Sequence, residues 1–239
     1  MSAVLEIRGL RAGYDGVAVV RDLSLEVGAG EVVALLGPSG AGKTTTLLTV
    51  SQLLEPLGGE ITFDGSSIIG KRPSTVARRG LAHVPEERGI FVSLTTRENL
   101  TVGVRGRRTD LDGIVDLFPA LARLMDRQAG LLSGGEQQML AIGRALVQDP
   151  TLLMVDELSL GLAPVIVDRL LPVLHQVARE REIAVLIVEQ QVQAALRHAD
   201  RAYVLNHGDL VASGTAAELV ADDRLLASSY LGDIEAEGP

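Results

Sequence analysis

The segment Gly37-Pro38-Ser39-Gly40-Ala41-Gly42-Lys43-Thr44, directly behind the apolar run Glu31–Leu36, constrains this chain more than any other. It fits the pattern GxxxxGK[ST] and predicts a strand, a tight glycine turn and a helix opening at Lys43, in that order. Glycines let successive backbone N–H groups converge on one point, and the helix adds its positive end, so the turn is built for a phosphate. On this reading Lys43 bridges the β- and γ-phosphates of a nucleoside triphosphate as a compact charge, and the Thr44 hydroxyl ligates Mg²⁺. A plain glycine turn is the alternative, but the four fixed positions recur by chance in only about one chain of this length in a hundred. Of 22 basic side chains only Lys43 and Lys71 are lysine, so an arginine-using chain places an ammonium where the loop needs one.

With 239 residues and 46% hydrophobic content the chain can bury a full core, and with 3% aromatics that core must be aliphatic. No run approaches the ~20 apolar residues of a membrane-spanning helix. The start, carrying Glu6, Arg8 and Arg11 without a sustained apolar stretch, is not expected to be a secretory signal. Zero cysteines exclude disulfides and thiolate metal sites and agree with a cytoplasmic setting. A net charge of −9 argues against nucleic acid as the main partner; the basic groups Lys71, Arg72, Arg78, Arg79 and Arg105, Arg107, Arg108 lack interleaved aromatics and read as solvated faces or docking patches.

Along the chain, Val4–Leu10 and Val17–Val27 read as strands around the turn Asp15-Gly16, Lys43 to about Leu54 as a helix broken by Pro56, Gly58 and Gly59, and Glu60–Phe63 as a further strand. These predict a small antiparallel sheet beside the nucleotide core. After a short strand Leu81–Val84, the stretches Thr96–Val102, Leu111–Phe118 and Leu121–Gln128 read as helical, a candidate insertion over about 86–131. The second half alternates strands (Leu152–Val155, Ala184–Val188, Arg201–Leu205) with helices, as a parallel sheet requires, with a kink expected at Pro172. Leu210–Ala212 and a capped helix Thr215–Val220 follow, and the tail is expected to be mobile.

Two further segments carry chemistry. Leu152–Val155 followed by Asp156-Glu157 puts two carboxylates at the carboxyl end of a presumed central strand, where open α/β sheets place their ligands. Asp156 would hold Mg²⁺, directly or through water, and Glu157 would polarise the attacking water. Leu132-Ser133-Gly134-Gly135-Glu136-Gln137-Gln138 opens a helix whose N–H groups stay open to a phosphate; the same letters also fit a simple capping box.

The trio GPSGAGKTT (Gly37 to Thr45), LSGGEQQ and LLMVDE resembles the ATP-binding cassette family over essentially the whole chain. The resemblance implies an α/β fold with a P-loop NTPase (RecA-like) core, a small antiparallel β subdomain and an inserted helical subdomain. It implies one cassette over about 3–235, with 236–239 as the tail. In that family the serine-glycine helix end, here Ser133, Gly134, Gly135, Glu136 and Gln137, faces the phosphate loop of a second subunit, so that two ATP molecules are sandwiched head to tail. Tyr14 matches the aromatic on which adenine stacks, and the helical insertion matches the part that receives the coupling helix of a transmembrane subunit.

Three positions depart from the family's commonest pattern. Val84-Pro85-Glu86 supplies a carboxylate where the Mg²⁺-sensing loop usually has glutamine, and Gln190 stands where a switch histidine is usual. Ala163 replaces the commonest aspartate. VPE, SLGLAP, VEQQ and the closing Ser229-Tyr230-Leu231-Gly232 look like one of the two paired ATPases of branched-chain amino acid importers, the second of the pair. The resemblance then implies ATP and Mg²⁺ as ligands, a catalytic pair Glu157 and Gln190, and a metal set of Thr44, Glu86 and Asp156. It implies a sister ATPase in a heterodimer, or a homodimer, two membrane permease subunits, an indirect extracytoplasmic binding protein, no nucleic acid, and a place on the cytoplasmic face of the inner membrane. The alternatives are a cassette ATPase for urea, short amides, lipid or lipopolysaccharide, or a DNA- or ribosome-linked cassette.

Overall fold

The computed structural model of the chain describes residues 3–104 and 110–221. Arg105, Arg107, Arg108, the Ser229–Gly232 segment and the tail lie outside them. In chain order the elements are β1 (Ala3–Tyr14), β2 (Val17–Gly28), β3 (Val32–Leu36), α1 (Lys43–Val50), β4 (Pro56–Phe63), β5 (Ser66–Ser67), α2 (Pro73–Arg78) and β6 (Leu81–Val84). Then come α3 (Thr96–Thr101), α4 (Leu111–Leu117), 3₁₀ turns at Pro119–Leu124 and Ala129–Leu131, and α5 (Gly134–Leu146). β7 (Leu152–Asp156), α6 (Pro164–Arg181), β8 (Ala184–Glu189), α7 (Val192–Leu196), β9 (Arg201–Asn206), β10 (Asp209–Thr215) and α8 (Ala216–Ala221) complete them.

Two sheets form. One is antiparallel with order β2-β1-β4-β5; the other runs β10-β9-β3-β8-β7-β6, parallel except for β10. β3, β7 and β8 are buried along their whole length, as a parallel sheet covered on both faces demands. Side chains alternate between the faces. Val33 and Leu35 join Leu47, Val50 and the inner face of the antiparallel sheet in one core, whereas Val32, Ala34 and Leu36 join α5, α6 and the helical stretch in the other. The expected architecture, a parallel core with a small antiparallel sheet on one side and helices on the other, is therefore present.

Local expectations fail in three places, each for a tertiary reason. α1 stops at Val50 rather than near Leu54, because Gln52 turns left-handed (φ 57) and the Leu53 N–H closes back on Leu48 O at 2.9 Å. Pro56, Gly58 and Gly59 do not merely break a helix: they begin β4, with Pro56 opposite Ala12 and Gly58 opposite Arg11. At Gly59 (φ +91) a Cβ would stand 2.5 Å from Gly9 O, so only glycine lets the two backbones meet there. Residues 121–128 form a 3₁₀ turn and loop, not a helix, with the Arg127 carbonyl accepting the Thr96 N–H and the Met125 carbonyl the Arg97 N–H. α6 runs unbroken from Pro164 to Arg181 through Pro172, whose ring faces solvent, as does Asp168 one turn earlier. Water can therefore reach the carbonyl that loses its partner.

Candidate functional site

The parallel strands bring the candidate residues to one rim. Leu36 pairs with Glu189, Asp156 with Val188 and Val84 with Val155, so β3, β8, β7 and β6 end within about a residue of each other. Gly37, Gln190, Glu157 and Pro85 are the residues that leave those ends, and Glu86 follows Pro85. Open α/β sheets carry their ligands at this carboxyl edge.

The phosphate loop turns out of β3 at Gly37 (φ +152), where a Cβ would collide with Leu205 O at 2.2 Å. Gly37, Ala41, Gly42, Lys43 and Thr45 are buried, Pro38 and Thr44 half-buried, and Ser39 and Gly40 exposed at the tip. A neighbouring turn props the loop: Gly208 N donates to Ala41 O at 3.1 Å, and Arg21 N from β2 donates to Gly208 O at 3.0 Å. Tyr14, at the end of β1 in the same hairpin as β2, is 47% exposed and so offers an open ring face.

Lys43 is the charge at the centre. Its ammonium donates to Gly37 O at 2.8 Å and Pro38 O at 2.9 Å and pairs with Glu157 Oε1 at 3.2 Å, both side chains almost wholly buried. Asp156, 2% exposed, hydrogen-bonds the Thr44 side chain. Burial first, then the charges of Glu157 and Glu86, push its carboxyl up to about 6 against the opposing pull of Thr44 and Lys43. Asp156 Oδ1 has no hydrogen-bond partner. A buried carboxylate raised in this way, with a free oxygen beside a threonine hydroxyl, has the hard oxygen donors that suit Mg²⁺. Thr44 and Asp156 thus offer donors for Mg²⁺, while Glu86 is exposed and reaches the site only through its charge on Asp156.

Glu157 takes a left-handed backbone (φ 47), which for a non-glycine residue costs of order 1 kcal/mol. Its neighbours compensate: Glu157 N donates to Val188 O at 3.0 Å, and Leu160 N donates to Glu157 O at 3.1 Å. Gln190 is exposed just past β8.

Ser133 caps α5 in a full capping box: Ser133 N donates to Glu136 Oε2 at 2.8 Å, and Glu136 N to Ser133 Oγ at 3.4 Å. The backbone hydrogen bond from Ser133 holds the Glu136 carboxyl below its usual range. The capping box is therefore made, and Ser133 is exposed. Among the described residues no hydrogen bond or ion pair joins Ser133–Gln137 to this chain's own phosphate loop. Gln137 is turned inward, its amide donating to Ala129 O at 3.1 Å.

Sequence reasoning missed two links, one between the loop after β6 and α5, made by Arg88 and Arg144, and one between β8 and the turn after β7, made by Glu189. Arg88, left-handed at φ 67, donates to Gln137 Oε1 at 2.8 Å and Gln138 Oε1 at 3.1 Å, joining the loop after β6 to α5. Arg144 returns from α5 to Gly89 O and lies 4.5 Å over the Phe91 ring. Glu189, next to Gln190, holds Ser159 by two hydrogen bonds, and burial raises its carboxyl pKa. No motif announces either link.

Comparison with known proteins agrees with this geometry. Residues 20–159 match the family model of the ABC transporter. The chain is 42% identical over 226 residues to BraG of Pseudomonas aeruginosa, a high-affinity branched-chain amino acid transport ATP-binding protein, covering 92% of this chain and 95% of that one. The chain belongs to the ABC transporter ATPase family. Against LivF of Archaeoglobus fulgidus, a probable branched-chain amino acid transport ATP-binding protein, identity is 35%, covering 90% of this chain and 93% of the relative. LptB of Haemophilus influenzae, a lipopolysaccharide export ATP-binding protein, is 34% identical, covering 97% and 98%. The fold superposes with a TM-score of 0.84 on the ADP conformation of MJ1267, an ATP-binding cassette of an ABC transporter, at 23% identity, over 98% of this chain and all of that one. As an ABC ATPase the protein binds ATP and hydrolyses it as a transporter subunit. No helix among the described residues is long and apolar enough to cross a membrane.

Proposed function

We propose that this ATPase powers an importer of branched-chain amino acids, hydrolysing ATP at Glu157 in a cleft completed by a second ATPase subunit. The contact of Lys43 with Glu157, beside the partnerless Asp156 oxygen, carries the catalytic part of this reading. On it the loop from Gly37 to Thr45 cradles the β- and γ-phosphates, Lys43 spans them, and Tyr14 stacks on adenine. Thr44 and Asp156 would hold Mg²⁺, with Glu86 adding negative charge near Asp156; the ion would supply positive charge to the phosphate oxygens. Glu157 accepts a proton from water as its oxygen attacks the γ-phosphorus in line, the bond to the ADP oxygen breaks, and phosphate leaves. Gln190 donates its amide N–H to a γ-phosphate oxygen. Ser133, with the backbone of Gly134 to Gln137, closes over the phosphate of the second subunit.

An amide orients but cannot carry a proton near neutral pH. In the assembled transporter with the partner site disabled, Gln190→His is expected to add an inflection near ~6.5 to the rate profile that the native protein lacks. A native inflection there that Gln190→Ala removes would overturn the role given to Gln190.

The membrane subunits have a candidate seat, an open groove of about 1020 Å³ between β6 and α5 lined by Arg78, Arg79, Arg88 and Arg144. His83 in its wall is pushed down to about 4 by burial and adds no charge at neutral pH. Such a seat on the cytoplasmic face suits two permease subunits fed by an extracytoplasmic binding protein. The higher identity to BraG favours amino acids as cargo, while the LptB relatives keep a lipid cargo as the second reading. In proteoliposomes with permeases and binding protein, leucine, isoleucine or valine is expected to stimulate ATP hydrolysis. Stimulation by lipopolysaccharide, and by none of the three amino acids, would overturn the cargo.

A further inference from the structure

Glu189 has no part in the reaction above, yet it is a carboxylate 1% exposed at the end of β8. Taking such a group out of water is costly unless its oxygens are filled. Both are filled by one residue: Oε1 accepts the Ser159 N–H at 2.8 Å and Oε2 accepts the Ser159 hydroxyl at 2.6 Å. The Gln190 N–H also reaches this carboxylate. Ser159 lies two residues beyond the left-handed Glu157, in a turn closed by Leu160 N on Glu157 O and by Leu162 N on Ser159 O, both at 3.1 Å. From that turn the chain leaves into exposed Leu160, Gly161 and Ala163.

We infer that Glu189 is a positioning residue for hydrolysis, clamping Ser159 through both oxygens so that Glu157 and Gln190 are held at one fixed separation. The inference rests on the reading of Glu157 as the base. β8 and β7 are neighbours, so the strand ends alone set Glu157 and Gln190 roughly side by side. What the strands do not set is the turn after Glu157, and a misplacement of about 1 Å at a reacting group can cost ~10²-fold in rate. The clamp ties that turn to the strand that carries Gln190. With both oxygens bonded to Ser159 and the group shielded from solvent, its contribution is read as geometric.

The test is steady-state ATP hydrolysis by the assembled transporter, with kcat and KM measured for Glu189→Leu, Glu189→Gln, Ser159→Ala, Ser159→Thr and Glu157→Gln. Glu189→Leu is expected to lower kcat by roughly 30-fold while KM for ATP moves by less than about 3-fold. Glutamine can accept the Ser159 N–H and donate to the hydroxyl oxygen, so Glu189→Gln is expected to recover kcat to within about 3-fold of native. Native kcat in Glu189→Leu overturns the clamp, as does equal damage from Leu and Gln, because the charge would then matter and not the geometry. If Glu189→Leu does not fold, the serine pair decides: Ser159→Ala should lower kcat about 5-fold and Ser159→Thr restore it, and native kcat in Ser159→Ala overturns the proposal. Glu157→Gln separates the two ideas. Native turnover in that variant overturns the base itself, whereas an inactive Glu157→Gln beside a fully active Glu189→Leu overturns only the clamp.

Discussion

Glu157→Gln is expected to abolish turnover, by ~10²-fold or more in kcat, while leaving ATP affinity close to native. The amide keeps the size of the carboxylate and one oxygen facing Lys43 Nζ, now 3.2 Å away, so the buried contact is not emptied. What it loses is the ability to accept a proton from water during attack on the γ-phosphorus. A loss in kcat without a matching change in KM marks an interaction made in the transition state only. Equilibrium binding of a fluorescent ATP analogue, beside phosphate release by the assembled complex, measures both quantities. Hydrolysis at the native rate would remove Glu157 from the chemistry.

Lys43→Ala is expected to fail at the earlier step, binding. The ammonium is the only cation placed within the loop, and charge-assisted hydrogen bonds to two phosphates are together worth about 3 kcal/mol, or ~10²-fold in affinity. The same change strands Glu157, 7% exposed and deprived of its counter-ion, at a stability cost of about 3 kcal/mol. The two effects separate in the double variant Lys43→Ala with Glu157→Gln, where the orphan charge is gone. Its melting temperature should return toward native while ATP binding stays lost. Titration calorimetry and thermal unfolding of the three proteins check this; a double variant no more stable than Lys43→Ala would show that the ion pair is not what the core feels.

What was legible in the sequence was what depends on local letters and on strand periodicity. The apolar runs before Gly37 and Asp156 placed β3 and β7, and with them Lys43 and Glu157, because a parallel strand buried on both faces must be a continuous apolar run. The capping box at Ser133 was equally plain, since serine and glutamate three apart satisfy each other within one turn. Illegible were contacts between residues far apart in the chain. Arg88 reads as one more surface arginine until α5 brings Gln137 and Gln138, about fifty positions away, against it. Glu189 reads as a neighbour of Gln190 until β8 lies beside β7 and sets it over Ser159. The end of α1 and the start of β4 escape the sequence for the same reason. A left-handed Gln52 and a Gly59 pressed on Gly9 are set by what packs there, and propensity does not encode that.

The central claim of the proposed function is that cleavage happens in a cleft completed by a second ATPase subunit. Sedimentation velocity of the Glu157→Gln protein, alone and with its partner ATPase, tests it most directly. With Mg²⁺ and ATP the sedimenting species should be a dimer that dissociates when ADP replaces ATP, and Ser133→Arg should prevent its formation. A Glu157→Gln protein that binds ATP at full affinity yet stays monomeric at every concentration and with every partner subunit would contradict the account.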